Sequence, residues 1–401
     1  MTEKLYEKHS TQKECTTVVT ECVKEDGAFY IKLKASIFFP EEGGQYSDTG
    51  TVCTPDKTVH ILKGELLGSS TEGETDVRYQ TDGELPVGTE VRCTLDWNNR
   101  FDRMQNHSGE HILSGLLHSR YGYHNTGFHL SDTDPVTVDT DGPLTDTQIT
   151  ELEKEANAVI YENLPIKDSY PTKEELGSLQ YRSKIDIAGQ VRLITIGNEG
   201  RIVDTCACCA PHVSTTGAIG IIKILSAEKF RGGTRLSILC GRRAAAWIAQ
   251  NLAVLQNTAV LFSTRPEQLL PIAEKLKEDN HRLHTTIAEL TEELLSRDIR
   301  AGVFEETVCT QMELGAVSMK NLYNTLRSLR DGYCGIFCGS DEDGYRYYAG
   351  GKELDARVLA AEMKTALDAK GGGSAEMIQG KITARKDEIE AFFTQINQTN
   401  L

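Results

Sequence analysis

Short apolar runs separated by turn residues dominate residues 15 to 93. CTTVVTECV, FYIKLKASIFF, GTVCT, TVHILKG and EVRCTLDW are rich in β-branched and aromatic side chains and are parted by Gly, Pro and Asp, which is the pattern of strands. They predict a small β domain over residues 1–95, with a barrel as its natural closed form. From Arg100 the period lengthens: Phe101, Met104, Ile112, Leu113, Leu116 and Leu117 recur at helical spacing as far as His118. A hairpin in GFHLSDTDPVTVDTDG, an amphipathic helix in DTQITELEKEANAVIYENL and two strands in QVRLITIGNEGRIVDT follow. GAIGIIKILSAEKF and TRLSILCG then complete an α+β domain over residues 96–246.

A long helix is predicted over residues 266 to 298. Leu276, Leu283, Ile287, Leu290 and Leu294 fall at intervals of seven, four, three and four, with Asn280 in the gap. This is a coiled-coil-like seam suited to dimerisation, in which a buried Asn280 would set the register; packing within one chain is the alternative. We assign residues 247–300 to this helical linker and residues 301–401 to an α/β domain. In the latter, YCGIFCG and YRYYAGG read as strands and ELDARVLAAEMKTALDAK as a helix, with Gly371, Gly372 and Gly373 expected to supply its C-cap. The fold class of the chain as a whole is therefore α+β, with an α/β domain at its C-terminal end.

Composition narrows the function. With 39% hydrophobic and 25% charged residues the chain can build and cover cores. No stretch is apolar enough for a signal peptide or membrane span, so a cytoplasmic address is expected. Eleven scattered cysteines do not resemble a disulfide framework. The net charge of −16 argues against non-specific nucleic-acid binding, which depends on Lys and Arg at phosphates. Any RNA partner must be met by local basic patches, for which Arg327, Arg330, Lys370 and Lys381 are candidates.

Candidate chemistry lies in two pairs. His107 and His111 are four apart on the predicted helix, so both imidazoles leave one face, and Cys208 and His212 repeat the spacing about a hundred residues later. Nitrogen and sulfur donors suit a tetrahedral zinc ion better than magnesium or calcium. Cys206 and Cys209 lie close enough to stand in for Cys208. Four protein donors are usual for structural zinc, whereas a catalytic site keeps a position open; both remain open here. His107-Ser108-Gly109-Glu110-His111 also spells the inverted zinc-protease pattern, with Glu110 as base, although that reading leaves Cys208 and His212 without a task.

Four stretches are similar to the alanyl-tRNA editing proteins, free-standing relatives of the editing domain of alanyl-tRNA synthetase: FFPEEGGQYSDTG, MQNHSGEHILSGLL, GFHL and CCAPHVSTTGAIG. The long helix and the end GGGSAEMIQGK look like the linker and DHHA1 domain of the longer members. The resemblance implies a β-barrel before an editing domain and a trans-acting hydrolase that removes serine or glycine from alanine tRNA. It also implies Zn2+ at His107, His111, Cys208 and His212. It carries a domain-level association with ATP binding, although no Walker-type glycine loop is present. In two places the chain departs from the family pattern. Cys209, Ala210 and Pro211 replace the usual glycines and threonine between the Cys and His ligands, and Ser36 stands where threonine usually precedes FFP.

An aminoacyl ester is already activated, so its hydrolysis needs a positioned water and a stabilised oxyanion. Gln45 is the candidate positioning residue. Gly43 and Gly44 let backbone approach a ligand, or serve simply as a tight turn. Ser36 is the candidate partner for a serine hydroxyl; a site that pairs that hydroxyl leaves a polar group unpaired when alanine enters. The competing reading is a tRNA- or RNA-binding module whose zinc only staples the fold.

Overall fold

Alternation of buried and exposed side chains closes the first strands into a barrel. The computed structural model describes residues 1–68, 75–183, 190–312 and 314–399, and the chain divides into two compact units, Met1–Val254 and Leu255–Leu401. In the first unit, β1 (Glu14–Glu25), β2 (Ala28–Leu33), β3 (Gly50–Cys53), β4 (Thr58–Leu67), β5 (Asp76–Thr81) and β6 (Glu90–Leu95) form a closed antiparallel barrel in the order β1-β2-β5-β4-β3-β6. Strict alternation along β5 and β6 follows the two-residue side-chain period. It sends Val77, Tyr79, Val91 and Cys93 inward to meet Val19, Ile31, Leu33 and Val52. This is the barrel that the strand pattern predicts.

Asp96 caps the helix that follows, α1 (Trp97–Tyr121), its carboxylate accepting the Asn99 N–H. Gly122 ends it with φ +70°, a left-handed cap that glycine adopts without strain. From Arg100 to Leu117 α1 is buried on almost every side. Its apolar stripe, Met104, Ile112, Leu113, Leu116 and Leu117, enters the main core. Gln105, Asn106, His107, Ser108, Glu110, His111 and Ser114 are buried as well, which is costly unless each polar group finds a partner.

Around α1 stand β7 (Asn125–His129), β8 (Val136–Thr140), α2 (Asp146–Tyr161), β9 (Ile166–Ser169), β10 (Leu193–Asn198), β11 (Arg201–Ala207), β12 (Ile222–Phe230) and β13 (Gly233–Cys240). They form a four-stranded sheet, β12-β13-β8-β7, and a three-stranded one, β9-β10-β11. Two glycines of α1 make close approaches to these strands. A Cβ at Gly115 would stand 2.5 Å from the Val203 carbonyl, and one at Gly109 would stand 2.4 Å from Cys240 Sγ, so glycine lets α1 lie directly on β11 and β13.

In the second unit the predicted long helix is present as α4 (Leu269–Arg300), preceded by α3 (Gly241–Leu261), which crosses the division between units. Thr291 and Ile299 of α4 are buried, but Leu276, Leu283, Ile287, Leu290 and Leu294 are 45–58% exposed and Asn280 is exposed too. The unit's sheet contains β14 (Thr307–Thr310), β15 (Tyr333–Ser340), β16 (Gly344–Gly351), β17 (Lys370–Gly373) and β18 (Ile378–Ile382), in the order β14-β15-β16-β18-β17. It is covered by α5 (Ala316–Ser328), α6 (Ala356–Leu367) and α7 (Lys386–Thr399). The glycine run does not cap α6: Asp368 does, at φ +49°. Gly371 instead faces Gly380 across β17 and β18, where a Cβ would meet the Gln379 carbonyl at 2.2 Å.

Gly115→Ala is expected to destabilise the first unit by about 1–3 kcal/mol, the usual cost of forcing an extra methyl into a packed site. Urea denaturation would register it as a lower midpoint; an unchanged midpoint would mean that α1 and β11 are not in firm contact.

Candidate metal centre

Three imidazoles and one thiol converge where α1 meets the turn after β11. The donor atoms of His107, His111, Cys208 and His212 all lie within 4.8 Å of one another. Cys208 Sγ is 3.6 Å from His107 Nε2 and 3.4 Å from His212 Nε2. A tetrahedron with metal bonds of about 2.0–2.1 Å to nitrogen and 2.3 Å to sulfur puts N and S about 3.5 Å apart, so this donor set is compatible with zinc.

Each imidazole is oriented through its other nitrogen, the arrangement that fixes the tautomer of metal-binding histidines. His107 Nδ1 donates to Gln45 Oε1 at 2.9 Å, and His111 Nδ1 donates to Asp204 Oδ2 at 3.1 Å. His212 Nδ1 pairs with Ser108 Oγ at 3.0 Å, and that hydroxyl also accepts the Val213 N–H. Arg182 grips the Asp204 carboxylate with two bonds of 2.7 Å. Arg192 donates to the carbonyls of Cys208 and Ala210 from beneath the ligand turn. Asp204, Ser108, Arg182 and Arg192 were not apparent from the sequence, because no spacing rule connects them to the ligands.

The three neighbouring cysteines differ in their electrostatics. Burial would raise the Cys208 thiol, but His107 and His212 outweigh it and hold the group well below its ordinary pKa. Cys206 is pushed up to about 11 by burial. Cys209 is raised well above its usual range by burial and then by Cys208 and Glu42. Since the thiolate is the ligand form, Cys208 is the thiol suited to metal. Cys206 belongs to a separate cluster with His111 and Asp204, in which Asp204 is already held by Arg182, while Cys209, which like Cys208 lies against Tyr6, Phe39 and Ala210, is not among the converging donors. Burial lowers His212 to about 3. Burial acts in the same sense on His111, yet Asp204 and Cys208 carry it well above its ordinary value. Asp204, which burial would raise, is lowered by His111 and Arg182.

Gln45 reaches this centre from the barrel domain. Glu42 and Gln45 bond to each other across Gly43 and Gly44, whose φ values are +62° and +81°, so the glycines do form a tight turn. The same turn is a close approach: a Cβ on Gly43 would stand 3.3 Å from Cys209 Sγ, and one on Gly44 3.1 Å from the Phe128 carbonyl. Gln45 is buried, and its Nε2 has no hydrogen-bond partner among the described residues. Phe128, from the GFHL stretch, lies with its ring 4.9 Å from that of His107. Ser36 is placed differently. It is buried in the barrel domain, where its hydroxyl accepts the Phe38 N–H at 3.1 Å and approaches the Tyr79 phenol. Glu110 accepts from Ser114 at 2.5 Å and from Asn125, with its second oxygen 3.9 Å from His111 Nε2.

Residues 191–236 match the family model described as "Threonyl and Alanyl tRNA synthetase second additional domain". This segment contains Cys208 and His212. Alanyl-tRNA editing protein AlaX-L of Pyrococcus horikoshii is 27% identical over 97% of this chain and 96% of its own length. Alanyl-tRNA editing protein Aarsd1-A of Xenopus laevis is 28% identical over 92% of this chain and 88% of its own. The chain resembles the alanyl-tRNA editing proteins along nearly its whole length. An alanine–tRNA ligase of Ignicoccus hospitalis is 27% identical over 86% of the chain, but only 38% of that ligase is covered. The likeness to the editing proteins therefore includes both compact units, whereas the ligase has a large part with no counterpart here. No helix among the described residues is long and apolar enough to cross a membrane.

The candidate tRNA-contacting cations of the second unit separate into two kinds. Arg327 donates to the Gly351 carbonyl, and Arg330 to those of Glu305 and Phe304, so both brace backbone. Lys370 and Lys381 face each other across β17 and β18 at exposed positions.

Asp204→Asn is expected to weaken zinc affinity about 10- to 100-fold by loosening His111. Competition against a chromophoric chelator measures this; an unchanged affinity would deny Asp204 its orienting part.

Proposed function

We propose that this chain is a trans-editing hydrolase that deacylates mischarged Ser- or Gly-tRNA(Ala), with zinc held by His107, His111, Cys208 and His212. The observation that carries the reading is the Gln45 carboxamide. Its oxygen orients His107, while its buried NH₂ group is left without an acceptor beside the donor cluster. A buried donor with no partner is rare in native proteins, and one aimed at a reacting centre is suited to an oxygen that gains charge during reaction. Similarity to the editing proteins supports an acyl-transfer reading of that geometry.

When bound, zinc supplies Lewis acidity and a fixed positive charge at the four donors. Gln45 donates to the substrate oxygen, and its own backbone is held by the Gly43–Gly44 turn, so little reorganisation accompanies reaction. The buried surroundings exclude bulk water and strengthen such hydrogen bonds. Ser36 is the proposed partner of a serine hydroxyl: its oxygen accepts the Phe38 N–H and keeps a second lone pair to which a ligand hydroxyl can donate. We further assign residues 1–95 to the barrel, 96–246 to the editing domain, 247–300 to a dimerisation helix and 301–401 to a DHHA1-like domain. Lys370 and Lys381 are its proposed tRNA contacts, in a cytoplasmic homodimer. A fully protein-coordinated, closed donor set favours a second reading, an RNA-binding module with structural zinc.

Deacylation of Ser-, Gly- and Ala-tRNA, with and without chelator, separates these readings. Hydrolysis of the first two that chelator abolishes is expected, with kcat reduced roughly 100- to 1000-fold in Gln45→Ala. Persistence of full activity in folded His107→Ala would remove zinc from catalysis and leave it structural. For the helix, Leu283→Glu combined with Leu290→Glu is expected to convert a dimer to monomer in analytical ultracentrifugation, since charge in an apolar seam opposes its pairing. A monomeric unsubstituted chain would overturn the dimer.

A further inference from the structure

Two exposed rings stand beside the metal centre without any part in it. Tyr46 follows Gln45 directly, and His129 follows Phe128, whose ring lies against His107. Tyr46 and His129 meet edge to face, with ring centroids 6.2 Å apart and planes at 82°. Both are exposed. We infer that they form a stacking platform for the unpaired terminal nucleobase of an RNA substrate.

The platform is held rigidly from behind. Leu130 N–H donates to the Gly44 carbonyl at 3.3 Å and so joins the two segments that carry the rings. Arg103 donates to the Ser47 carbonyl at 2.6 Å and to the Tyr46 carbonyl at 3.5 Å, and its remaining donors hold Asp132. These hydrogen bonds tie both segments to α1 and to each other, and restraint of this kind lowers the entropic cost of binding. Two rings at right angles form a corner, in which a flat base stacks on one ring and meets the other with its edge.

Distance makes the base the fitting ligand. In a ribose ester the base is one sugar ring from the reacting carbonyl, and Tyr46 is one residue from the Gln45 group assigned to that carbonyl. The chain's charge of −16 points the same way, because stacking recovers affinity without the cationic surface that phosphate binding requires. This inference rests on the proposed ester hydrolysis for its choice of ligand.

The test needs no aminoacyl group. An RNA hairpin with an unpaired 3′ tail ending in adenosine is compared, by fluorescence anisotropy, with the same hairpin ending in an abasic ribose. Loss of the base is expected to weaken binding to the unsubstituted protein by between about 5- and 150-fold, the range that stacking of one base supports. Tyr46→Phe should keep that difference, and Tyr46→Ala and His129→Ala should shrink it, with metal content unchanged in each. Equal binding of the two RNAs by the unsubstituted protein, or an undiminished difference in both alanine variants, overturns the platform. Base-dependent binding without any deacylation leaves the platform standing and removes the proposed hydrolysis instead.

Discussion

A fully buried ion pair joins the two sources of the candidate site. Arg100 lies two helical turns before His107, and Asp48 lies three residues after Gln45. The Arg100 guanidinium donates to both Asp48 oxygens and to the carbonyls of Ile37 and Ser10, while Asp48 also accepts the Phe39 N–H at 2.7 Å. Taking both charges out of water is expensive, and removing one partner of such a pair typically costs about 3–5 kcal/mol. The hydrogen bonds around it therefore leave essentially one way to dock the barrel loop on α1. That docking brings the Gln45 carboxamide within reach of His107.

With this junction in place, the polar face of α1 becomes intelligible. The helix buries residues that would ordinarily be rejected from a core, and each of the two ligands on it takes its orientation from a different element. Gln45 comes from the barrel turn and Asp204 from β11, while Ser108 of α1 itself orients His212 across the gap. A centre assembled from separate elements holds its donors only while the whole first unit is folded. A metal bound by these four donors would consequently be coupled to the folding of that unit.

An acidic chain that resembles tRNA-editing proteins must balance attraction to RNA against repulsion from its own charge. Its cations near the metal centre are largely spent: Arg100, Arg103, Arg182 and Arg192 hold carboxylates or backbone carbonyls. Few charges beside the donor cluster are therefore left to meet phosphate, which leaves hydrogen bonds and aromatic surface, both less sensitive to net charge, as what that part of the first unit offers a partner.

Periodicity alone determined the strand-rich start, the central part of α1, the long helix, and β15, β16 and α6 of the second unit, because side-chain burial repeats every two or 3.6 residues; the ends of α1 at Trp97 and Tyr121 and the remaining strands and helices of the second unit lay outside it. The spacing of His107 and His111 likewise placed two donors on one face. What periodicity does not carry is the meeting of residues far apart in sequence. Only the tertiary structure separated Cys208 from Cys206 and Cys209, since the three lie within four residues of sequence and differ in which way the fold aims them: Cys206 is still in β11, whereas Cys208 and Cys209 follow it in the turn. It likewise assigned Asp204 and Ser108 to the imidazoles. The C-cap expected at Gly371 failed for a related reason: a glycine that tolerates a left-handed turn equally permits two strands to approach closely, and the partner strand decided between them.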